Sequence, residues 1–261
     1  MISKSGPKIG VESAYSFGEC LLNLPLIRAL SRKYKSKIGV ASLPNCKAAF
    51  ENIPYVSEIV EIPTLGDGEN ALLKLGYDKC FQITPDVKFF EFRAQNNQHS
   101  LVDTPLLTGT QLGCTPFDQR PVFAPTPEEI EKTSMYLCDR PMIAFDSAAE
   151  IDSQTEANVL RSIIESHVNS HIVLWPGETP PFKSDSIFLI NDLTPREQIL
   201  VTRMCTCVYT TGRDFTFACL SLPSKYQPKK VICLWHDEIY NCRNRILQSC
   251  WHQDISWLNQ C

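Results

Sequence analysis

Two patterns of apolar residues follow each other near the start of the chain. The short run Lys8-Ile9-Gly10-Val11 is typical of a buried strand, and residues 12–17 follow as the loop that leaves its carboxyl end. A helix is then predicted from apolar residues that recur at helical spacing, namely Leu22, Leu26, Ala29, Leu30 and Tyr34. Glu19 stands in its first turn, where an acid can simply favour the positive end of the helix dipole. Because open parallel sheets bind ligands beyond the carboxyl ends of their strands, Glu19 is also a candidate catalytic residue.

Strand and helix patterns go on alternating along the chain. In the first half we predict a strand at 38–41 and a short helix near 45–52. In the second half we predict strands at 142–145, 171–175, 187–190, 207–209 and 231–235, and helices at 128–137, 154–167 and after Thr194. Such alternation predicts α/β domains built on parallel sheets.

A proline-rich stretch between Cys114 and Pro141 is the best candidate for a linker, because this density of proline resists continuous helix or central strand. We therefore predict an N-terminal αβ domain at 1–125 and a second αβ domain at 126–244. Residues 245–261 are predicted to form a C-terminal helix, for which packing back on the N-terminal domain is one arrangement.

Composition narrows the class of protein. The 261 residues carry a net charge of −4, and the basic residues are scattered, which argues against a polyanion-binding protein. Neither an apolar signal segment nor a run of about 18 apolar residues is present. We therefore expect a cytoplasmic protein without a membrane span.

The chain has 12 cysteines, and without a secretory signal we expect free, mostly buried thiols. Cys205 and Cys207 alternate along a predicted strand and are interpreted as core residues. The C-terminal region contains enough soft ligands for a zinc site, namely Cys233, His236, Cys242, Cys250 and His252. They lack the paired Cys-x-x-Cys spacing of closed structural sites, so no metal site is predicted.

The segment Gly18-Glu19-Cys20-Leu21-Leu22-Asn23-Leu24-Pro25-Leu26-Ile27-Arg28-Ala29-Leu30 resembles the opening motif of the heptosyltransferase-like glycosyltransferases, the ADP-heptose:lipopolysaccharide heptosyltransferase family. The family normally has Gly-Asp where this chain has Gly18-Glu19. Later segments keep the family's order: Ile53 to Glu61, Tyr77-Asp78 with its strand, and His99 to Asp103. The resemblance implies the GT-B fold, in which two Rossmann-like αβ domains face each other across a cleft. The chain is short for this family.

The resemblance also implies a function, the inverting transfer of a sugar from a nucleotide-sugar donor to an acceptor hydroxyl, with Glu19 as general base and without a metal or other cofactor. The acceptor is expected to be a glycan or small molecule, held near Tyr15, Ser16, Phe17 and Gly18. Thr210, Thr211 and Gly212 occupy the place of the family's donor-binding loop, whose backbone N–H groups would cradle a diphosphate.

The donor motif departs from the family at several positions. Thr210 replaces an acid and Phe215 a histidine, and the segment after residue 145 lacks the family's lysine. The cations expected nearest the cleft are therefore Lys183, Arg213 and His236, because each follows a predicted strand end.

Two other functions stay open. The first is a non-catalytic binding or regulatory protein on the same scaffold, motivated by the replaced donor residues. The second is a phage-type transferase that glycosylates modified DNA bases, against which the acidic net charge weighs.

Overall fold

The computed structural model describes residues 6–13, 16–83, 109, 112–114, 123–146, 154–177, 179–210, 215, 218–219, 221–233 and 255–257. The chain divides into two compact units, with the boundary between Ala124 and Pro125. None of the helices in these ranges is long and apolar enough to cross a bilayer.

The first unit contains a four-stranded parallel sheet with the strand order β3-β2-β1-β4. Its elements are β1 (Ile9–Glu12), α1 (Phe17–Tyr34), β2 (Ile38–Ser42), a 3-10 turn (Pro44–Ala49), β3 (Val56–Glu61), α2 (Gly68–Lys74) and β4 (Lys79–Gln82). Strands β1 and β2 are buried at every position, as their apolar sequences predict.

Helix α1 begins at Phe17, directly after the loop that leaves β1. Its N-terminal half is buried on all sides, from Gly18 to Ile27, and only the C-terminal half exposes a polar side. The helical spacing of the apolar residues predicts one buried face, whereas the first turns are buried on all sides. A helix that is buried on all sides is normally apolar throughout, because burying an unpaired polar group is costly. The polar side chains of Glu19 and Asn23 in this half therefore indicate a role beyond packing.

The second unit contains a parallel sheet with the order β10-β9-β8-β5-β6-β7. Its elements are α3 (Pro127–Ser134), β5 (Met142–Phe145), α4 (Gln154–His167), β6 (Ile172–Trp175), β7 (Ile187–Leu189), α5 (Pro195–Val201), β8 (Cys205–Thr210), β9 (Val231–Cys233) and β10 (Ile255–Trp257). The core of this unit lies between α4 and the central strands, where Phe145 stacks on Tyr209 with 5.0 Å between ring centroids.

Helices α3 and α5 begin with the same Thr-Pro-x-Glu signal. In each, the threonine side chain accepts the N–H of the glutamate, and the glutamate side chain accepts the threonine N–H. These are capping boxes with proline at the first helical position. The helix predicted after Thr194 is confirmed, and Thr194 caps it.

The predicted strands and helices are found wherever the structure describes them, with one correction at the C-terminus. Residues 255–257, expected to be helical, form β10, which pairs in parallel with β9. The isoleucine and tryptophan of this segment favour a strand, and the exposed edge of β9 offers it backbone partners. The family-like segment His99 to Asp103 lies outside the described residues.

Candidate functional site

In each sheet the chain first adds strands on one side of the first strand and then crosses to add strands on its other side. In the first unit, the chain leaves β1 toward β2 and β3 and then crosses back to β4 on the other side of β1. In the second unit it leaves β5 toward β6 and β7 and crosses back to β8. In open α/β sheets, ligands bind beyond the carboxyl ends of the strands at such switch points. The candidate sites therefore lie beyond β1 and β4 in one unit, and beyond β5 and β8 in the other.

Glu19 lies on α1 next to the first of these switch points. It is the third residue of the helix, and its backbone N–H donates to Oγ of Ser16, which caps the helix, at 3.3 Å. The residue is 8% exposed. A carboxylate at this depth can accept a proton from a bound hydroxyl while bulk water is largely kept away.

The acceptor-side residues predicted next to Glu19 belong to the start of the same helix. Ser16 is the cap, Phe17 is the first helical residue and is half-buried, and Gly18 is buried. The structure thus brings Ser16, Phe17 and Gly18 together with Glu19 in one turn. Tyr15 lies outside the described residues.

A second acidic residue, Glu12, lies at the end of β1 and has a structural role. Glu12 is 2% exposed, and its carboxylate accepts the backbone N–H groups of Gly66 at 2.6 Å and Gly68 at 3.0 Å. It therefore ties the loop before α2 to the end of the central strand. Because both of its oxygens are used in this way, Glu12 is a structural carboxylate and Glu19 is the better candidate for chemistry.

Two polar residues meet at the second switch point. Thr210 is the last residue of β8 and Asp146 follows the last residue of β5, and each is 1% exposed. The strands are in register here, since Phe145 pairs with Tyr209 and the N–H of Asp146 donates to the Tyr209 carbonyl at 3.2 Å. Thr210 thus lies at the end of β8 with Asp146 next to it, and its role in donor binding stays a prediction. Thr211, Gly212, Arg213 and His236 lie outside the described residues.

The placement of Lys183 does not support the prediction that it lies at the cleft. Lys183 is exposed on the segment between β6 and β7. A few residues later, the carbonyl of Ser186 accepts the N–H of Val173 at 2.8 Å, close to the start of β6. The segment thus returns toward the amino end of the sheet. The prediction for Lys183 requires that a residue which follows a strand in sequence also lies beyond the carboxyl end of that strand. A long connecting segment that returns to the other end of the sheet need not meet this requirement.

The described cysteines behave as free thiols. Cys205 and Cys207 are both buried, as predicted for core residues, and Cys138 is exposed. Burial raises the pKa of the Cys20 and Cys205 thiols well above the usual value. Within the described ranges, no group of three or more metal-ligating side chains occurs. The weighed zinc ligands lie outside those ranges as side chains, and the absence of a metal stays a prediction.

The fold of the chain is similar to solved structures over almost its whole length. The glycosyl transferase family 9 protein from Veillonella parvula DSM 2008 has a TM-score of 0.66 at 12% identity, covering 97% of this chain and 86% of that one. The E. coli ADP-heptose lps heptosyltransferase II has a TM-score of 0.61 at 13% identity, covering 96% and 90%. The fold is that of the GT-B glycosyltransferases.

The E. coli heptosyltransferase WaaC, solved with ADP, also has a TM-score of 0.61, at 12% identity and with 88% of each chain covered. The resemblance to heptosyltransferase-like glycosyltransferases is thus confirmed as a resemblance of fold. In sequence the chain is far diverged, since neither a protein-family profile nor a curated protein matches it.

Three polar residues at these sites were not predicted as site residues. They are Asp146, Ser13 and Asn23. For Asp146 the signal is an acid directly after an apolar run at the end of a predicted strand. Asn23 is the only polar residue in the apolar stretch from Cys20 to Ile27, which is the signal that could have found it.

Proposed function

We propose that the protein is an inverting glycosyltransferase that uses a nucleotide sugar, with Glu19 as its general base. One observation carries the proposal: Glu19 and Thr210 each lie at the switch point of a parallel sheet, in a chain with the GT-B fold. These are the positions at which an α/β sheet binds ligands.

In the proposed reaction, Glu19 removes the proton of an acceptor hydroxyl as that oxygen attacks the anomeric carbon. Attack from the face opposite the nucleotide forms the new C–O bond while the bond to the diphosphate oxygen breaks, so the configuration is inverted. The electron pair leaves with the nucleoside diphosphate. The acceptor hydroxyl would lie near Ser16, Phe17 and Gly18.

The donor would bind around the turn Thr210-Thr211-Gly212-Arg213. Backbone N–H groups of this turn and the Arg213 guanidinium would stabilise the charge of the leaving diphosphate. Asp146, beside Thr210, suits an acceptor of hydrogen bonds from hydroxyl groups of the sugar or ribose, because a carboxylate repels phosphate. Lys183 is not assigned to this site.

The first measurement is of donor binding to the wild-type protein. Thermal unfolding is followed with ADP-, UDP-, GDP-, dTDP- and CMP-sugars, ADP-sugars first because WaaC was solved with ADP. A specific donor at 100 times its Kd stabilises the native state by about 2.7 kcal/mol. Release of nucleotide from the stabilising donor is then measured, with water or a glycan as acceptor.

Glu19→Gln is the decisive variant. We expect it to keep donor stabilisation and to lower nucleotide release about 100-fold or more, because the amide cannot accept the proton. Glu61→Gln is the matched control, since Glu61 ends β3 at the same edge of the sheet but is exposed. Unchanged turnover in Glu19→Gln would remove Glu19 as the base. Retention of configuration in the product would exclude inversion.

The non-catalytic alternative draws on the replaced acid at Thr210 and on the placement of Lys183. It predicts donor stabilisation without release of nucleotide, or stabilisation by none of the sugar nucleotides. A transferase on DNA would instead release nucleotide only when DNA is the acceptor.

A further inference from the structure

A buried polar cluster lies under the first turns of α1, and the proposed chemistry does not use it. It consists of Ser13, Cys20 and Asn23, of which Ser13 and Cys20 are 0% exposed and Asn23 is 8% exposed. Nδ2 of Asn23 donates to Oγ of Ser13 at 2.9 Å, and Sγ of Cys20 donates to the Ser13 carbonyl at 3.3 Å. Both contacts converge on one residue, which directly follows β1.

Ser13 is itself fixed to the sheet. Its backbone N–H donates to the carbonyl of Ala41 in β2 at 3.0 Å, which continues the ladder between β1 and β2 by one residue. The side chain of Asn23 thus connects α1 to a point that cannot move without breaking the sheet. Cys20 contributes a second connection one turn earlier.

Glu19 is the residue that this connection controls. Asn23 follows Glu19 by four positions, so the two side chains lie on the same face of α1, one turn apart. A small rotation of the helix about its axis would break the contact between Asn23 and Ser13 and would move the Glu19 carboxylate by a comparable distance. The hydrogen bond therefore selects one rotational setting of the helix, and with it one position of Glu19.

We propose that Asn23 and Ser13 are positioning residues, whose hydrogen bond holds the Glu19 carboxylate where it can accept the proton of the acceptor. This inference rests on the proposed function, because it concerns the geometry of the same base. Displacement of a catalytic group by about 1 Å can cost about 100-fold in rate.

The test measures nucleotide release with water as acceptor, using the donor found by thermal stabilisation. Asn23→Leu keeps the number and branching of the side-chain heavy atoms and removes the hydrogen bond, and we expect it to lower kcat about 10-fold or more with little change in KM for the donor. Ser13→Ala should have the same effect from the other partner, whereas Ser13→Thr keeps the hydroxyl and should retain activity. Asn70→Leu is the matched control, an exposed asparagine in α2 of the same unit.

The deciding comparison is made in the Glu19→Gln background. If Asn23 acts through Glu19, Glu19→Gln and the double variant Glu19→Gln, Asn23→Leu should release nucleotide at rates within about 2-fold of each other. If Asn23 only supports the fold, its loss should multiply with that of Glu19→Gln, and this outcome overturns the positioning role alone. Thermal unfolding of each variant without donor confirms that the protein compared is folded.

Failure of the proposed function gives a different pattern. Wild-type turnover in Glu19→Gln, or no release of nucleotide by the wild type, overturns the base assignment and the positioning role with it.

Discussion

Glu12 and Gly68 are 56 positions apart in sequence, and Oε2 of the Glu12 carboxylate accepts the backbone N–H of Gly68 at 3.0 Å. The second oxygen accepts the N–H of Gly66. The end of the central strand of the first unit is thus tied to the loop that precedes α2. This contact distinguishes two nearby acids, because it gives Glu12 a structural role, whereas Glu19 is the proposed base.

Replacing Glu12 by alanine should destabilise the protein by about 3 kcal/mol. The carboxylate is 2% exposed, and its removal leaves two N–H groups without their charged acceptor. Denaturation by urea measures the loss. Glu61→Ala is the control, because Glu61 pairs with Lys47 at the surface, where such a pair contributes less than about 1 kcal/mol.

Gly68→Ala tests the same contact from the other side. A Cβ at Gly68 would lie 2.6 Å from Oε2 of Glu12, so the carboxylate would have to move. The alanine variant should therefore be less stable than the wild type, and only part of this loss should persist in the Glu12→Ala background, where the added methyl still meets the Cβ at position 12 at 2.8 Å. Full additivity of the two losses would show that the contact is not shared.

Much of the fold is predictable from local sequence. The strand Met142 to Phe145, the helix Gln154 to His167 and the cap at Thr194 each carry their own signal, in apolar runs, helical spacing and Thr-Pro-x-Glu. These signals also fix which residues follow the strands, and so they place Thr210 and Glu19 at sheet ends. Strand order needs the long-range pairing of β1 with β4 and of β5 with β8, which no local pattern contains.

Two arginine–glutamate pairs in the second unit should differ strongly in their contribution to stability. Nε and Nη2 of Arg196 donate to the two oxygens of Glu129 at 2.5 and 3.1 Å, and the Arg196 side chain is 2% exposed. Replacing Arg196 by methionine leaves the partner charge poorly compensated, which typically costs about 3 kcal/mol. Chemical denaturation should show this loss.

The comparison is Arg161→Met. Arg161 pairs with Glu165 on α4, but the two side chains are 56% and 52% exposed, so solvent screens the pair. Its loss should cost about 0.5 kcal/mol or less. Equal losses in the two variants would contradict the role of burial.

The charge on Glu197 should make the protein less stable in acid. Burial acts to raise the pKa of Glu197, but hydrogen bonds from Lys132 and from Thr194 outweigh it, and the net effect lowers the pKa. A carboxyl group with a lowered pKa in the native state stabilises the fold above its unfolded pKa, and this contribution is lost as the pH falls. Glu197→Gln keeps the capping geometry and removes the charge.

We therefore expect Glu197→Gln to be less stable than the wild type at pH 7, by about 1 kcal/mol or less because solvent screens the lysine. The difference should shrink as the pH falls through the acid range and vanish once the wild-type carboxyl is protonated. Urea denaturation at a series of pH values measures it. A constant difference at all pH values would mean that the charge is not responsible.

The candidate site was harder to predict than the fold, for reasons that particular residues make clear. The role of Asn23 could not be predicted from the sequence, because its partner Ser13 is separated from it by a loop. Ser13 is fixed to the sheet through the hydrogen bond to Ala41. Lys183 lies on a long segment between β6 and β7, and its place at the donor site stays a prediction. Asp146 lies beside Thr210 because of the register between β5 and β8, which the local sequence does not contain.

Chemical labelling should sort the cysteines by burial. The thiolate is the reactive form, and burial raises the pKa of Cys20 and Cys205 well above the usual value, so both hold less thiolate than an exposed cysteine at the same pH. Cys138 is exposed on the surface of the second unit. Iodoacetamide at pH 8, followed by peptide mass spectrometry, should therefore label Cys138 rapidly and leave Cys20 and Cys205 unlabelled until denaturant is added. Since Cys20 directly follows Glu19 in the buried half of α1, its labelling in the native protein at a rate within about 10-fold of Cys138 would mean that the first turns of α1 open readily, and the proposed fixed position of the base would then be wrong.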